Sequence, residues 1–573
     1  MNHKGRILIA WAGMFAVSGC YSGINSFGDD PNGLGDGLSG ADGGEGEGEG
    51  EGETDGSDDP NSDDPNDPND PGGVGACNDV GARMLRRLTS GQMRRTLQSI
   101  FADEAVPDGQ VLTDPVVHGF KVDAREAVIR DLGAQQVMQY AETVAAWAVD
   151  QKLGQIAPCQ SMDAACQEQI VRELGAKFHR EPLSDTMVTA YQGLMAGQET
   201  FEEGMRQLVS AFVQSPYFLY RRELGEPSGD DPDRFQLTDY ELASNLSYSL
   251  TGGPPDETLL ELAAQGSLRD QDELVAQVAR LVQSDDGQHS LEEFIYSWLE
   301  IEDLPSRVKV EVPGVNFDED VRHAMLTETS MLFRHVFNTG GTTKDLMLAD
   351  FSFLNQSLGQ FYKIWEADTE DHQSTPIPDS GEGARAPGLL GHGSVLARHS
   401  LVDNSSPVAR GVMVQRRILC NDLPEPPSDV DTNLEPISEG ATNRERYEQH
   451  STDPNCAGCH ALIDPVGFTF EHYDQFGLWR DEESGQPVDA SGALVGVEES
   501  VDLDGLDSLA EALAEEPRVQ ECFAHFMSYY TYGVDGCSGE SLVDAAGGEQ
   551  ATLMSTLETI VRSQHFRERV MGE

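Results

Sequence analysis

Residues 237–270 read LTDYELASNLSYSLTGGPPDETLLELAAQGSLRD, and this stretch decides the fold class. Apolar side chains recur at helical spacing from Thr238 to Leu250, which predicts an amphipathic helix. The string PPDE at 254–257 then gives the start signal for a second helix, TLLELAAQ, and Gly266 is the residue type expected just beyond its end. The stretch therefore predicts two helices joined by a short turn.

The same spacing recurs along most of the chain, whereas alternating strand patterns are scarce. Further helices are predicted over Met84–Phe101, Gln167–His179, Ser184–Met195, Phe201–Gln214, Asp270–Leu281, Ser290–Leu299, Phe317–Asn338, Leu506–Ala514, Val519–Tyr532 and Leu553–Arg569. We therefore expect a mainly α protein. Because the body of about 500 residues exceeds what one hydrophobic core organises, we also expect more than one domain.

Two distant strings are similar to each other. Leu208–Arg221 reads LVSAFVQSPYFLYR, and Leu557–Val570 reads LETIVRSQHFRERV. Each is an apolar helix followed by Ser-x-x-Phe and then Arg. We expect the serines to lie at helix ends and the two phenylalanines, Phe218 and Phe566, to pack into the core. Two such copies do not indicate a repeat protein.

The first 20 residues have the layout of a secretory signal. A basic head precedes Ile7–Val17, an apolar run too short to span a bilayer, and small residues lead to Cys20. The string VSGC at 17–20 resembles a bacterial lipobox, which implies that Cys20 becomes the lipidated N-terminus. A plain signal peptide or an uncleaved anchor is the alternative. Since Tyr21 follows the cysteine, we expect an exported outer-membrane lipoprotein, periplasmic or at the cell surface.

Residues 21–76 are almost wholly Gly, Asp, Glu, Pro, Asn and Ser, including EGEGEGEGE and DDPNSDDPNDPNDP. Such a composition cannot bury a core, so we predict a disordered acidic linker. The formal net charge of the chain is −62, and residues 1–75 contribute only −14 of it. The folded part is therefore acidic too, which argues against nucleic acid as a partner. Basic partners, divalent cations or simple solubility fit this charge.

Asp453–Phe468 reads DPNCAGCHALIDPVGF. Cys456 and Cys459 are spaced for two thiols to bond the vinyl groups of haem, and His460 follows directly, where the proximal iron ligand lies in c-type cytochromes. We therefore predict a covalent haem c. A disulfide or structural knuckle without haem, or a metal site, is the alternative. A zinc site would need two further ligands, and the chain has no second CxxC.

Residues that follow the CxxCH motif could complete a haem pocket. The carbonyl of Pro465 could accept a hydrogen bond from Nδ1 of His460 and so orient the ring. Phe468 and Trp479 could wall the macrocycle, and Arg480 could pair with a propionate. Each residue also has an ordinary interpretation, because aromatic residues at this spacing are more often core and such an arginine more often forms a surface ion pair.

The ligand on the other side of the iron is the least defined feature of this hypothesis. Met527 is the first choice, and His525 and His472 are the alternatives. His392 and His399 are better interpreted as structural histidines. An open or weakly filled distal position would permit peroxide or oxygen chemistry instead of simple electron transfer.

Six further cysteines suit three disulfides in an oxidising compartment. Cys159 and Cys166 are close in sequence and form the first predicted pair. Cys522 and Cys537 flank the end of a predicted helix and form the second. Cys77 and Cys420 remain as the third pair.

Several strings resemble a secreted bacterial family abundant in planctomycetes and myxobacteria. In chain order they are ARMLRRLTSGQMRRTLQSIF (82–101), CQEQIVRELGAKFHREPLS (166–184), the opening stretch at 237–270, GLLGHGSVLARHSLVDNSSPVARGVMVQRRILCNDLPEPP (388–427), RERYEQHSTDPNCAGCHALIDPVGFTFEHYDQFGLWR (444–480) and the tail 503–566. The resemblance implies consecutive domains of unknown function and a cytochrome-c-like module that carries haem. It does not imply a defined reaction.

These observations predict a mainly α, multi-domain helical protein with a C-terminal cytochrome-c-like helical module, preceded by the disordered linker. The expected segments are a lipoprotein signal peptide (1–20), the linker (21–76), an N-terminal helical module (77–150), a helical module with Cys159 and Cys166 (151–228), a central helical domain (229–370), the CxxCH module (385–485) and a C-terminal helical module (500–573).

The functional hypothesis is a lipid-anchored, exported c-type haem protein of the cell envelope that passes electrons to an unknown redox partner. One alternative is a haem enzyme of peroxidase or oxidase type with an open iron. The other is a surface binding or scaffold protein, for polysaccharide for example, in which the CxxCH is only structural. No motif supports carbohydrate binding, and no catalytic residue is assigned.

Overall fold

The computed structural model describes residues 80–108, 112–229, 231–379, 383–423, 440–451 and 457–571, apart from the side chains of 449–451. These residues belong to one compact unit. The predicted signal peptide and linker lie outside the described residues, as do Cys20, Cys77 and Cys456. In the part of the chain that the structure describes, no helix is both long and apolar enough to cross a membrane.

Helices dominate the described residues, and the mainly α prediction is confirmed. The first eleven are α1 Ser90–Phe101, α2 Asp131–Ile156, α3 Ala164–His179, α4 Asp185–Ala196, α5 Phe201–Val213, α6 Pro216–Leu219, α7 Asp239–Thr251, α8 Glu257–Gln265, α9 Gln271–Val282, α10 Asp285–Trp298 and α11 Glu319–Asn338. The others are α12 Thr343–Leu348, α13 Gln356–Tyr362, α14 Gly393–Arg398, α15 Pro407–Met413, α16 Asn443–Ser451, α17 Ala457–Phe468, α18 Gly505–Glu515, α19 Pro517–Tyr532, α20 Gly539–Ala546, α21 Leu553–Arg562 and α22 Gln564–Arg567. A π-helical turn, Val414–Ile418, continues α15.

The strands are short. They are β1 Gly81–Ala82, β2 Met84–Arg87, β3 Tyr220–Glu223, β4 Glu226–Pro227, β5 Arg234–Gln236, β6 Phe351–Leu354, β7 Gln373–Pro376, β8 Glu482–Glu483, β9 Gln486–Pro487, β10 Ser491–Leu494, β11 Val501–Asp504 and β12 Glu568–Val570. One sheet has the order β1-β12-β5-β4, and β2–β3, β6–β7, β8–β9 and β10–β11 form antiparallel pairs. Since β12 lies between β1 and β5, this sheet joins both ends of the described chain.

Side-chain caps set where several predicted helices begin and end. The predicted helix Met84–Phe101 begins only at Ser90, because Thr89 caps it with a full capping box and the residues before it pair as β2. Gly266 ends α8 in the left-handed conformation, as predicted. The predicted helix Leu553–Arg569 ends at Arg562, since Ser563 caps a new short helix and the chain then extends as β12.

The two similar strings fold in the same way. Each runs from a helix through a short helix with a serine cap into a strand, α5–α6–β3 in the first copy and α21–α22–β12 in the second. Phe218 and Phe566 are fully buried, so this prediction is confirmed. The arginine three residues after each phenylalanine, Arg221 or Arg569, lies near the buried carboxylate of Glu223.

The described residues form two hydrophobic cores. One contains buried residues between Leu88 and Leu219 together with Tyr248, so the two N-terminal modules share it. The other extends from Phe120 to Phe566 and unites the central, CxxCH and C-terminal modules. The predicted modules therefore pack around two hydrophobic cores, each of which is shared by more than one module. Helix α2 belongs to the first core but was not predicted, because many of its buried residues are alanines and no side chain caps its start.

The disulfides confirm one predicted pair and correct two. Cys159 bonds Cys166 as predicted. Cys420 bonds Cys522, so the predicted pairs Cys522–Cys537 and Cys77–Cys420 are wrong. After Cys522, α19 runs ten more residues and carries the chain about 15 Å away before it turns, while the π-helical turn that precedes Cys420 packs against α19. Cys537 is also disulfide-bonded.

Removal of the Cys420–Cys522 bond is expected to lower the free energy of unfolding by about 4 kcal/mol, because it closes a long loop of the unfolded chain. The test is urea unfolding of the double variant Cys420→Ala/Cys522→Ala. The control is Cys159→Ala/Cys166→Ala, for which the shorter loop predicts a loss of about 2 kcal/mol. An equal or smaller loss in the first variant would contradict the assigned role of this bond.

Candidate functional site

The CxxCH motif opens helix α17. Cys456 lies outside the described residues, but Cys459 and His460 stand in the first turns of the helix. Cys459 is the free cysteine among the described residues and is half-buried. The other five cysteines that the structure describes are disulfide-bonded. The thiol of Cys459 therefore takes no part in a disulfide bond among the described residues.

His460 pairs with the next residue on its own face of α17. Its Nδ1 lies 2.8 Å from Oδ1 of Asp464, and the side chains are 13% and 6% exposed. A neutral imidazole has one N–H, and a carboxylate only accepts, so this bond assigns the proton to Nδ1 and the lone pair to Nε2. Among the described residues, Oδ2 of Asp464 has no hydrogen-bond partner although it is buried.

Pro465 does not have the predicted role. Asp464 accepts the hydrogen bond from His460, and the carbonyl of Pro465 faces Gly492 of β10 so closely that a Cβ there would overlap it. The reason is helical geometry. Pro465 is inside α17, where its carbonyl points along the axis towards the C-terminal end and away from His460.

Glycine contacts fix the position of α17. Gly411 of α15 lies against the carbonyl of Ile463, and Gly467 of α17 lies against the carbonyl of Pro407. A Cβ at either glycine would overlap the facing oxygen. The helices α15 and α17 therefore pack backbone against backbone. Helix α15 starts with Ser406 as the N-cap and Pro407 at the first position.

Arg410 of α15 is fully buried and holds the segment that follows α17. Its Nη1 donates to the carbonyls of Phe470 (3.1 Å) and Tyr473 (2.7 Å). Its Nη2 donates to the carbonyls of Leu396 (3.0 Å) and Asp474 (2.7 Å) and to Oγ of Ser400 at 2.9 Å. Burial lowers the pKa of Arg410 to about 10, so the group remains charged at neutral pH.

A second polar cluster attaches α16 to the same segment. Nδ2 of Asn443 donates to Oγ of Ser405 at 3.0 Å, and Nη2 of Arg480 donates to the same oxygen at 2.9 Å. Arg480 also pairs with Glu471 and Glu483, each at 2.9 Å. Burial raises the pKa of Glu471 in spite of Arg480 and Arg410 nearby. Arg480 thus has protein partners on Ser405, Glu471 and Glu483, and its pairing with a propionate stays a prediction.

The predicted aromatic pocket residues face different surroundings. Phe468 is buried, with the guanidinium of Arg444 4.4 Å above its ring. Trp479 is 43% exposed and stacks on His472 with ring centroids 4.3 Å apart. Nδ1 of His472 donates to the carbonyl of Arg480 at 3.0 Å. Trp479 lines an open cleft of about 590 Å³ with Asp474, Asp481 and Asp507 among its other walls.

Met527 and His525, the candidate distal ligands on α19, pack among other elements than α17. Met527 is buried among Leu291, Phe294 and Leu557, in the core between α10, α19 and α21. His525 is half-buried, and burial lowers its pKa. Helix α17 packs mainly on α15, α16, β10 and the π-helical turn. The structure does not bring either side chain together with His460.

His392 and His399 are structural, as predicted. Nε2 of His399 donates to the carbonyl of Leu299 at 2.9 Å, and burial lowers its pKa to about 4. His392 bonds Thr329 at 2.9 Å and Ser352 at 3.2 Å within a buried network around Glu328. Across the described ranges, no group of three or more His, Cys, Asp or Glu side chains converges as metal ligands would.

Four family models match the chain in succession. They are PSD3 (DUF1587) over 86–150, PSD5 (DUF1595) over 166–223, PSD4 (DUF1592) over 237–364 and PSCyt3 (DUF1588) over 386–483, each described as a protein of unknown function. Together these models match more than half of the chain. The chain belongs to this planctomycete-type PSD/PSCyt family. The PSCyt3 module contains Cys459 and His460, and its name hints at a cytochrome. No curated protein and no solved structure matches the chain.

The sequence analysis missed Asp464, Arg410 and Glu471. Asp464 had a signal, because a carboxylate four residues after a histidine shares its helix face. Arg410 and Glu471 had none, since a buried charge is recognised only when its partners are brought together by the fold. These two residues organise the PSCyt3 module around α17.

Gly467→Ala is expected to lower the free energy of unfolding by about 1–3 kcal/mol, because the new methyl group overlaps the carbonyl of Pro407. Gly193→Ala is the control, since Gly193 is also in a helix but has nothing within 4 Å of the added methyl group. That change is expected to be neutral or slightly stabilising. Urea unfolding measures both, and a neutral Gly467→Ala would contradict the close packing of α15 and α17.

Proposed function

We propose that this protein is an exported, lipid-anchored c-type haem protein that transfers electrons at the cell envelope. The observation that carries the proposal is the free thiol of Cys459 in a CxxCH motif of the PSCyt3 module, while the other described cysteines are disulfide-bonded. Cys456 and Cys459 would hold the haem, and Nε2 of His460 would bind its iron. Bound there, haem c supplies one-electron redox chemistry.

The residues around His460 fit this role. Asp464 accepts the hydrogen bond from Nδ1 at 2.8 Å, which fixes the plane of the imidazole and the tautomer with its lone pair on Nε2. The glycine contacts at Gly411 and Gly467 hold α17 at a fixed depth against α15. A ligand histidine on so constrained a helix would keep its position when the iron changes oxidation state, which favours fast electron transfer.

The strong negative charge points to the kind of redox partner. With a net charge of −62, a basic partner would be attracted at long range, and association would slow as salt is added. A lipid at Cys20 and the linker 21–76 would keep the body near the membrane surface. Nucleic acid is not a partner in this proposal.

A second candidate function is a haem enzyme of peroxidase or oxidase type. The observation that favours it is the buried carboxylate of Asp464 on His460. A carboxylate is a stronger acceptor than a carbonyl, so it makes the imidazole a stronger donor to iron and stabilises the oxidised state. Met527 and His525 also lie among other elements than α17, which favours an open distal position.

Expression with c-type haem assembly is expected to give one covalent haem per chain, measured as a pyridine haemochrome. Cys459→Ala and His460→Ala should each lose most of it, because thiol bonding and iron ligation both fail. His323→Ala is the matched control and should keep the haem, since His323 is exposed on α11 and pairs with a carboxylate one helical turn away, Glu319, as His460 does with Asp464. A wild-type protein without haem would overturn both haem functions. The CxxCH motif would then have only a structural role.

The ferric spectrum then separates the two haem functions. A low-spin spectrum that added cyanide does not change would support electron transfer with both axial positions filled. A high-spin spectrum that cyanide converts to low spin would support the enzyme. This readout needs no substrate.

Asp464→Asn is expected to raise the midpoint potential by about 60 mV or more, a tenfold change in the one-electron equilibrium, because an amide accepts more weakly than a carboxylate. Asp502→Asn removes one charge from an exposed position on β11 and is the control for charge alone. Redox titration of both variants makes the comparison. Equal shifts would contradict the role of Asp464 in tuning His460.

A further inference from the structure

A cavity of about 250 Å³ lies between the PSD3, PSD5 and PSD4 modules and α19. Its walls come from β2, the first turn of α1, β3, α7, α10 and Tyr530. Five basic side chains line it: Arg86, Arg87, Arg95, Lys121 and Arg221. Three acidic side chains line it as well: Asp114, Glu293 and Glu302. The walls therefore carry an excess of positive charge in a chain that is otherwise strongly acidic.

Each acidic side chain of the cavity already has a basic partner. Asp114 pairs with Arg87 at 2.9 Å, Glu293 pairs with Arg95 at 3.2 Å, and Glu302 pairs with Lys121 at 2.6 Å.

This leaves Arg86 and Arg221 without a carboxylate on the wall. Behind the wall, Glu223 accepts from Arg86 at 3.1 Å, but it is shared with Arg569. The excess positive charge is thus located at Arg86 and Arg221.

Arg221 is 5% exposed, and its hydrogen bonds use one nitrogen only. Nη1 donates to the carbonyl of Asn245 at 3.4 Å and to Oγ of Ser249 at 3.2 Å. Among the residues that the structure describes, Nε and Nη2 have no hydrogen-bond partner. Burial, with Arg86 close by, lowers the pKa of Arg221 to about 9. Neither nitrogen is among the fully buried atoms without a partner. Since Arg221 lines the cavity, an acceptor that enters the cavity would supply the missing hydrogen bonds.

Arg87 adds to the same demand for an acceptor. Nε and Nη1 of Arg87 are buried without a partner within the described ranges. The start of α1 lines the cavity but is already capped, because Thr89 accepts from the N–H of Gln92 and Oδ2 of Asp114 accepts from the N–H of Ser90 at 2.9 Å. Arginine N–H groups are the donors that bind carboxylate and phosphate oxygens in proteins.

We propose that this cavity binds a small oxyanion group, a carboxylate or a phosphate, with Arg221 as the buried donor and Lys121 at the solvent-exposed side. The volume admits a phosphate or a short carboxylate, and it is too small for a nucleotide or an oligosaccharide. Lys121 is about half exposed, so it would meet the anion first. The site lies outside the PSCyt3 module and is independent of the haem proposal.

Titration calorimetry on the full chain, at constant ionic strength in chloride, tests the proposal with two probes, inorganic phosphate and acetate. Saturable binding of one anion per chain is expected. Binding of both probes would indicate a site for any oxyanion, and binding of one would identify its chemical source. If neither probe binds, the proposal is overturned.

Two variants locate the binding. Lys121→Glu, at a surface position where folding is not threatened, should weaken binding about tenfold, because it reverses one charge beside the anion. Arg221→Gln should abolish binding. Arg206→Glu is the matched control, since Arg206 forms an exposed ion pair with Asp150 on α2, and it should bind as the wild type does. Equal weakening by Lys121→Glu and Arg206→Glu would overturn the site.

Discussion

The interaction on which the PSCyt3 module depends is the burial of the Arg410 guanidinium among backbone carbonyls. A buried charge is costly unless most of its N–H groups are hydrogen-bonded. Nη1 and Nη2 of Arg410 meet this condition, while its Nε has no partner among the described residues. The carbonyls of Leu396, Phe470, Tyr473 and Asp474 must therefore converge on Arg410. Phe470 lies two residues after the end of α17, so these hydrogen bonds hold the chain where it leaves the helix. The glycine contacts with α15 then fix its depth, and so the position of His460.

Buried arginine side chains also connect modules that are distant in sequence. Glu223 of β3 is shared by Arg86 of β2 and Arg569 of β12, so one buried carboxylate joins the N-terminal strand, the PSD5 module and the chain end. Arg417 donates to the carbonyl of Trp298 at 2.6 Å, while the indole of Trp298 donates back at 2.7 Å. Removing one partner of a buried ion pair such as Arg86–Glu223 costs about 3–5 kcal/mol. The modules of this chain therefore share cores instead of folding side by side.

How much the sequence predicts depends on the range of the interaction. Helical spacing and cap residues are local, and they predicted most helices and the Gly266 stop. The short strands were missed, because two to four residues carry no clear alternation and depend on partners far away. The Cys420–Cys522 bond was missed for the same reason. At the site, Cys459 and His460 were identified from a contiguous motif, and Asp464 had a spacing signal that was overlooked. The role of Arg480 could not be predicted, because its partners Ser405, Glu471 and Glu483 are assembled only by the fold.

The measurement that tests the central claim most directly is the intact mass of the mature protein after denaturation and reduction. The account predicts a mass one haem heavier than the processed, lipid-modified polypeptide, with the extra mass retained on the peptide that contains Cys456, Cys459 and His460. A chain of polypeptide mass alone, made by cells that attach haem to a control cytochrome, would contradict the account and reduce the motif to a structural element of α17.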